Sequence, residues 1–175
     1  MSQVEHLLAP EYLGDVAQRP IDEIRSMRDE CQAAEAALSY VRRIVQARLD
    51  IVAAEIDRRA QGGEPADVAS LVERLPEILG RQVLGPGVGR LSTSMEPPDD
   101  DALVAEVDAV VDTARLSDLA GATDDDVRAL AGRLGELESD VSGRRRGLHE
   151  RIDILQGELV RRYKSGEATV ESLLR

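Results

Sequence analysis

The chain of 175 residues contains no tryptophan and no phenylalanine, and its aromatic residues are three tyrosines. A β-sandwich usually packs its core with aromatic and β-branched residues, so this composition favours helices packed on one another instead. Cys31 is the single cysteine, which excludes an internal disulfide and a cysteine-based metal cluster and suggests a reducing compartment. No run approaches the roughly 20 apolar residues that a membrane span needs. We therefore expect a cytoplasmic protein that does not contact a membrane.

Lysine is scarce, and acidic residues outnumber basic ones by 34 to 22. Lys164 is the only lysine, and the formal net charge is −12. A chain this acidic is repelled by the phosphates of DNA and by anionic lipids, so direct DNA binding and membrane binding are not expected. The same charge suits a basic protein partner.

The spacing of apolar residues predicts two long helices, over residues 20–61 and 123–165, after a lead-in over residues 1–19. In both helices apolar residues recur at alternating steps of three and four, with one full seven-residue step in each, which is the period of a coiled-coil seam. The first seam is Ile24, Met27, Cys31, Ala34, Leu38, Val41, Val45, Val52 and Ile56, and the second is Val127, Leu130, Leu134, Leu137, Val141, Leu148, Ile152, Leu155 and Leu159.

The region between the long helices has a different composition. Residues 64–79 have the pattern of a shorter amphipathic helix that Pro76 bends or ends. Residues 80–101 are rich in glycine, proline, serine and aspartate, as is typical of a flexible linker. A further short helix is possible over residues 102–115.

The chain contains an internal repeat. When it is shifted against itself by 103 residues, residues 13–59 align with residues 116–162 without a gap, and 15 of these 47 positions are identical. The two apolar seams coincide in this alignment, and each needs the other in order to be buried. The sequence therefore predicts an all-α fold, a long helical hairpin or coiled coil of two repeat-related helices. Parallel packing is sterically possible, but we favour antiparallel packing because it places the middles of the two helices side by side.

A polar motif, E-x3-S-x2-R-x3-[Q/H]-x3-D, occurs once in each long helix. Its side chains fall within an arc of about 80° on each helix and flank the seam, since successive residues differ by about 100°. The two stripes can therefore meet across one groove or lie on opposite edges of the pair. The first motif is Glu35, Ser39, Arg42, Gln46 and Asp50, and the second motif is Glu138, Ser142, Arg145, His149 and Asp153.

Two interpretations of this motif compete. Exposed helix faces are rich in glutamate, arginine and glutamine, so a single copy is most simply surface decoration. However, serine and aspartate are poor residues for a helix interior, and both recur there in each copy. The residue types also match guanine nucleotides, because a carboxylate can accept from N1–H and N2–H2 while arginine pairs with O6 and N7 or with phosphate. A ligand with two guanines and two phosphates would suit two copies.

These residues resemble the signature of the RsiG anti-sigma family of actinomycetes. The resemblance covers both long helices and the two-copy layout, and it departs from the family pattern only at His149, where the motif has glutamine. Histidine still offers a donor and an acceptor. The resemblance implies an antiparallel coiled coil, a cyclic di-GMP dimer bound at the two motifs, and a WhiG-like sporulation sigma factor sequestered with the help of that ligand.

Other functions find little support in the sequence. The two histidines, His6 and His149, are far apart and have no accompanying metal ligands, so a metal site is not expected. No nucleophile elbow and no phosphate-binding glycine-lysine loop occurs, so we do not expect an enzyme. The main alternative is a structural coiled-coil adaptor without a small-molecule ligand.

Overall fold

The computed structural model describes residues 3–62, 101–111, 115–116 and 118–166. Within these residues every regular element is an α-helix or a 3-10 turn, which confirms the predicted all-α class. The α-helices are α1 (Gln3–Leu8), α2 (Ile21–Ala60), α3 (Asp101–Val110) and α4 (Asp124–Ser165). None of them combines the length and the apolar character that a membrane span requires. The predicted helix over 64–79 and the predicted linker up to residue 100 lie outside the described residues.

Local sequence signals explain where the long helices begin and end. The carbonyl of Pro20 accepts a hydrogen bond of 3.1 Å from the backbone N–H of Ile24 at the start of α2. At the start of α4, the hydroxyl oxygen of Thr123 accepts from the N–H of Asp126 at 3.2 Å and caps the helix. Helix α2 is followed by Gly62, whose φ of 67° suits glycine because a Cβ atom disfavours this conformation.

The chain divides into two compact units, and the first comprises residues 1–39 and 142–175. In this unit the beginning of α2 packs against the end of α4. Arg28 donates to the side chain of Gln156 at 3.3 Å. Further towards the start of α2, the guanidinium of Arg25 lies 5.8 Å from the ring centroid of Tyr163. The partner's number rises as the residue number falls, so the two segments are antiparallel.

The second unit comprises residues 40–141. Here the end of α2 packs against the beginning of α4, again antiparallel, because Arg42 pairs with Glu138 at 2.9 Å whereas Arg59 pairs with Asp124 at 2.7 Å. Each unit thus contains an antiparallel pair of segments from the two repeat-related helices, and the predicted antiparallel helical hairpin is confirmed.

The core of each unit consists of the predicted apolar seams. All the predicted seam residues are buried except Ile56, Leu137 and Ile152, which are half-buried. Leu38 and Leu148 in the first unit and Val45 and Leu134 in the second are fully inaccessible. Side chains of this size contribute about 1.5–3 kcal/mol each when they are removed from water, so the seams dominate the stability of the helix pairs.

In the second unit, a cluster of arginines at the end of α2 binds the chain that precedes α4. Arg59 donates to the carbonyl oxygens of Leu119 at 2.7 Å and Ala122 at 2.9 Å, which belong to the 3-10 turn before α4. Its Nε also donates to Glu55 at 2.6 Å, and Arg58 donates to the same carboxylate. The end of α2 is thereby fastened to the chain that leads into α4.

The first unit contains the equivalent cluster. Arg162 donates to the carbonyl oxygens of Arg19 at 2.6 Å and Val16 at 3.2 Å, at the 3-10 turn before α2. Its Nε donates to Glu158 at 2.8 Å. A shift of 103 residues converts Arg59 into Arg162, and the same shift relates the carbonyl partners, so one arrangement occurs twice.

These clusters hold their carboxylates in the ionised form. In the second unit, a hydrogen bond from Arg58 is the largest influence on Glu55 and lowers its pKa despite the opposing effect of burial. In the first unit, hydrogen bonds from Arg161 and Arg162 lower the pKa of Glu158 to about 2. A carboxylate whose pKa is lower in the folded state stabilises that state above the pKa of the unfolded chain, and the contribution is lost as the pH falls through the folded-state value.

We therefore expect acid to destabilise the protein progressively from about pH 4.5 towards pH 2, the interval between the ordinary pKa of Glu158 and its folded-state value of about 2. Urea unfolding at a series of pH values measures this effect. The slope of the unfolding free energy against pH should be smaller for Glu158→Gln than for the unmodified protein. Glu150→Gln, which changes an exposed glutamate of the same helix, should keep the original slope. Equal slopes in all three proteins would contradict the role of the cluster.

Candidate ligand-binding site

The ten residues of the two motifs lie on α2 and α4 and are divided between the two units. The first unit holds Glu35 and Ser39 of the first motif together with the last four residues of the second motif. The second unit holds the remaining three residues of the first motif together with Glu138. Each unit therefore brings residues of both motifs together, and each is described in turn.

In the first unit the motif residues gather around the carboxylate of Glu35. Its Oε1 atom accepts hydrogen bonds of 2.7 Å from the Nε of Arg145 and of 2.7 Å from the hydroxyl of Ser39. The Nε2 atom of His149 lies 3.2 Å from the same oxygen. We call these four residues the Glu35 cluster. Its members come from both motifs, so the antiparallel packing of the helices brings the two motifs into contact.

The environment of Glu35 favours its ionised form. Burial is the largest single influence and acts to raise the pKa of this carboxyl, because its side chain is only 19% exposed. The hydrogen bonds from Arg145 and Ser39, with the nearby charge of His149, together outweigh burial and lower the pKa below its usual value. Glu35 is therefore a half-buried, negatively charged carboxylate that accepts several hydrogen bonds.

The second unit contains the matching arrangement around Glu138. The Nε of Arg42 donates to Oε1 of Glu138 at 2.9 Å, and the amide nitrogen of Gln46 donates to the same oxygen at 3.3 Å. We call these three residues the Glu138 cluster. The side chains of Arg42 and Glu138 are 34% and 26% exposed, so a ligand in solvent can reach them.

The two clusters share their contacts between the helices, with the copies exchanged. Glu35 of the first motif pairs with Arg145 of the second, and Glu138 of the second motif pairs with Arg42 of the first. His149 takes the part of Gln46, since both place a side-chain nitrogen on the glutamate of the other motif. The replacement of glutamine by histidine therefore preserves the contact. Its consequence is that the strength of the His149 contact depends on whether the imidazole is protonated.

The fifth motif positions are not equivalent. Asp50 is half-buried in the second unit, and burial raises the pKa of its carboxyl. Asp153 is exposed in the first unit. Ser142 is half-buried, as is its counterpart Ser39. The two copies thus share their glutamate-centred contacts and differ in the exposure of their aspartates.

The sequence does not identify several residues that hold the long helices in place in the structure. Arg59 and Arg162 are identical at the 103-residue offset, as are Glu55 and Glu158, and the spacing of side chains assigns no role to them. Their main partners are backbone carbonyls, which leave no trace in a side-chain pattern. The signal that was available is identity at equivalent positions of the two copies.

The chain matches a known protein family, and the match covers both copies of the repeat. The family model described as RsiG-like matches residues 10–79 and 113–175, which together contain both motifs. The chain belongs to the RsiG-like family. This is a family of regulatory anti-sigma factors and not of enzymes, so the protein falls in the anti-sigma class. No curated protein matches the chain.

The Glu35 cluster can be tested without a ligand. Arg145→Ala removes a hydrogen bond that opposes the effect of burial, so the pKa of Glu35 should rise. Carbon NMR of the glutamate carboxyl groups across a pH series measures this change. Arg146→Ala is the matched control, because it removes the same charge from the adjacent exposed position. A titration of Glu35 that is unaffected by Arg145→Ala would contradict the contact.

Proposed function

We propose that this anti-sigma factor binds cyclic di-GMP through its two motifs and that the bound form sequesters a sigma factor of the WhiG type, blocking transcription of sporulation genes. The ligand-binding residues are Glu35, Ser39, Arg42, Gln46, Asp50, Glu138, Ser142, Arg145, His149 and Asp153. The observation that carries the proposal is the reciprocal pairing of motif glutamates and arginines, because it gathers the same recognition groups twice, once in each unit.

The chemistry of each cluster matches a guanine nucleotide. An ionised glutamate can accept hydrogen bonds from N1–H and N2–H2 of guanine, and an arginine can donate to O6 and N7 or to a phosphate oxygen. Arginine also stacks its planar group on a base. The lowered pKa of Glu35 supports this role, since a protonated carboxyl would lose much of its acceptor capacity. A ligand with two guanines and two phosphates provides partners for both sets.

The ion pairs within the clusters do not prevent binding. Their side chains are between 19% and 34% exposed, and pairs near the surface contribute only about 0–1 kcal/mol each. A ligand that offers hydrogen-bond donors to the glutamates and phosphate oxygens to the arginines can therefore replace them at modest cost. The arginines are also needed electrostatically, because a chain with a net charge of −12 otherwise repels a dianionic ligand.

The same ion pairs favour a second candidate, a coiled-coil adaptor that binds no nucleotide. In that case Arg42–Glu138 and Arg145–Glu35 would serve only to hold the helices in register. The adaptor hypothesis predicts that loss of the arginines changes stability slightly and has no effect on any ligand. The two hypotheses therefore differ in their response to cyclic di-GMP.

Calorimetry with cyclic di-GMP distinguishes them. We expect the unmodified protein to bind and the double variant Arg42→Ala with Arg145→Ala to lose at least about tenfold in affinity, since loss of a charge-assisted hydrogen bond costs about 1.5–3 kcal/mol. The matched control is Arg43→Ala with Arg146→Ala, which removes two exposed arginines from the adjacent positions. No binding by the unmodified protein, or equal affinity in both double variants, would overturn the proposal.

The same proteins test the link to the sigma factor. Immobilised protein should retain a WhiG-type sigma factor in the presence of cyclic di-GMP and lose it when the nucleotide is omitted. The Arg42→Ala with Arg145→Ala variant should fail to retain the sigma factor under either condition, while the control variant should behave like the unmodified protein. Retention that is independent of the nucleotide would support the adaptor instead.

A further inference from the structure

Two arginines outside the motifs, Arg48 and Arg151, occupy equivalent positions in the two copies. Each lies between the fourth and the fifth motif residue of its helix. At about 100° per residue, each projects roughly 160° away from the middle of the motif stripe. They are therefore on the back of the helix segments that carry the motifs, where they cannot belong to the same ligand contacts.

In the first unit Arg151 holds helix α1. Its Nη2 donates to the carbonyl oxygen of Leu8, the last residue of α1, and its Nη1 donates to the carbonyl oxygen of Gly147 at 3.2 Å. The apolar face of α1 is covered, since Val4 is 4% exposed and Leu7 is 1% exposed. Helix α1 is thus docked by apolar contacts and by an arginine at its carboxyl end, where unpaired carbonyls favour a positive charge.

The approach of α1 to the motif helix is close. A Cβ atom at Gly147 would lie 2.8 Å from a terminal methyl group of Leu8. Gly147 is located between the motif residues Arg145 and His149 in the chain. The docked helix therefore contacts α4 within the turns that carry the second motif.

The second unit repeats this arrangement with helix α3. Arg48 donates to the carbonyl oxygen of Val111 at 2.6 Å and to the carboxylate of Asp108 at 2.6 Å. Val107 and Val111 are fully buried. The side chain of Arg48 is only 14% exposed, so the contact is well protected from solvent.

Helices α1 and α3 are equivalent parts of the repeat. Val4 and Leu8 lie 103 residues before Val107 and Val111, which is the offset that relates the motifs. The repeat therefore extends further towards the amino terminus than residue 13, where the alignment of identical residues begins. In each unit, the short helix from one copy is held on the long helix of the other copy.

We propose that Arg48 and Arg151 are positioning residues of the ligand-binding motifs. Each fastens a short helix to the back of the motif helix in its unit and so fixes the rotation of the motif side chains about the helix axis. The short helices are then part of the binding module and respond to the nucleotide. This inference rests on the proposed function.

Arginine suits this role better than lysine. Arg48 uses two different nitrogens for two acceptors about one helical turn apart, and Arg151 also uses two. The planar guanidinium presents these donors in a fixed geometry, whereas a lysine ammonium is a single flexible point charge. Lysine at these positions should therefore restore the charge without restoring the orientation of the motif side chains.

Calorimetry with cyclic di-GMP on full-length Arg48→Ala with Arg151→Ala tests the proposal. We expect the affinity to fall by about five- to tenfold, with no rescue by lysine at both positions. The control is Arg162→Ala, which removes an equivalent carbonyl contact of α4 far along the helix from the motif and should bind within about twofold of the unmodified protein. Unfolding by urea, measured in parallel, separates loss of stability from loss of affinity.

Asp108→Asn is a milder variant that serves if the double variant does not fold. It should also lower the affinity for cyclic di-GMP.

Amide hydrogen exchange over residues 4–8 provides a second readout. Exchange there should be faster in Arg151→Ala, and addition of cyclic di-GMP should slow it in the unmodified protein. If the unmodified protein binds and the arginine variants bind equally well, or if Arg162→Ala weakens binding as strongly, the positioning role is overturned while the proposed function stands. If the unmodified protein does not bind, the proposed function itself fails.

Discussion

Each long helix carries an apolar stripe that is unfavourable in water, and the pairing of the two stripes is the constraint on which the remaining contacts depend. Leu38 and Leu148 in one unit, and Val45 and Leu134 in the other, are buried only because segments of the two helices pack together. With no tryptophan and no phenylalanine, small aliphatic side chains do this packing, which allows the helices to approach closely. Polar side chains that flank the stripe are then carried into reach of the other helix.

Antiparallel pairing of two related helices has a simple consequence, which is that contacts between residues identical in the two copies can form twice. A residue of the first copy meets a partner in the second, and the equivalent pair forms with the copies exchanged. Glu35 with Arg145 and Glu138 with Arg42 are one such pair of contacts, and the carbonyl contacts of Arg59 and Arg162 are another. The duplication of the sequence thus becomes a duplication of chemical groups.

The sequence predicts some of these features well and others not at all. Periodicity identifies the buried face, as Cys31 and Leu155 illustrate, and the motif spacing places Glu35 and Arg42 on one stripe. Sequence cannot predict that Arg151 donates to the carbonyl of Leu8, because the main chain carries no residue-specific signal. Helix α1 lies within the predicted lead-in, and only Val4 of this helix is identical to its counterpart 103 residues further on. The burial of Val4 and Leu7 shows that α1 is a packed part of the repeat, which the alignment of identical residues does not show.

Under the proposed function, the arginines of the motifs exchange their glutamate partners for the nucleotide. The most direct measurement is nitrogen–proton NMR of the arginine Nε–H groups during titration with cyclic di-GMP. We expect the signals of Arg42 and Arg145, whose Nε atoms donate to Glu138 and Glu35, to shift with a common binding curve while that of Arg59 stays in place. Unchanged signals for Arg42 and Arg145 at saturating nucleotide would contradict it.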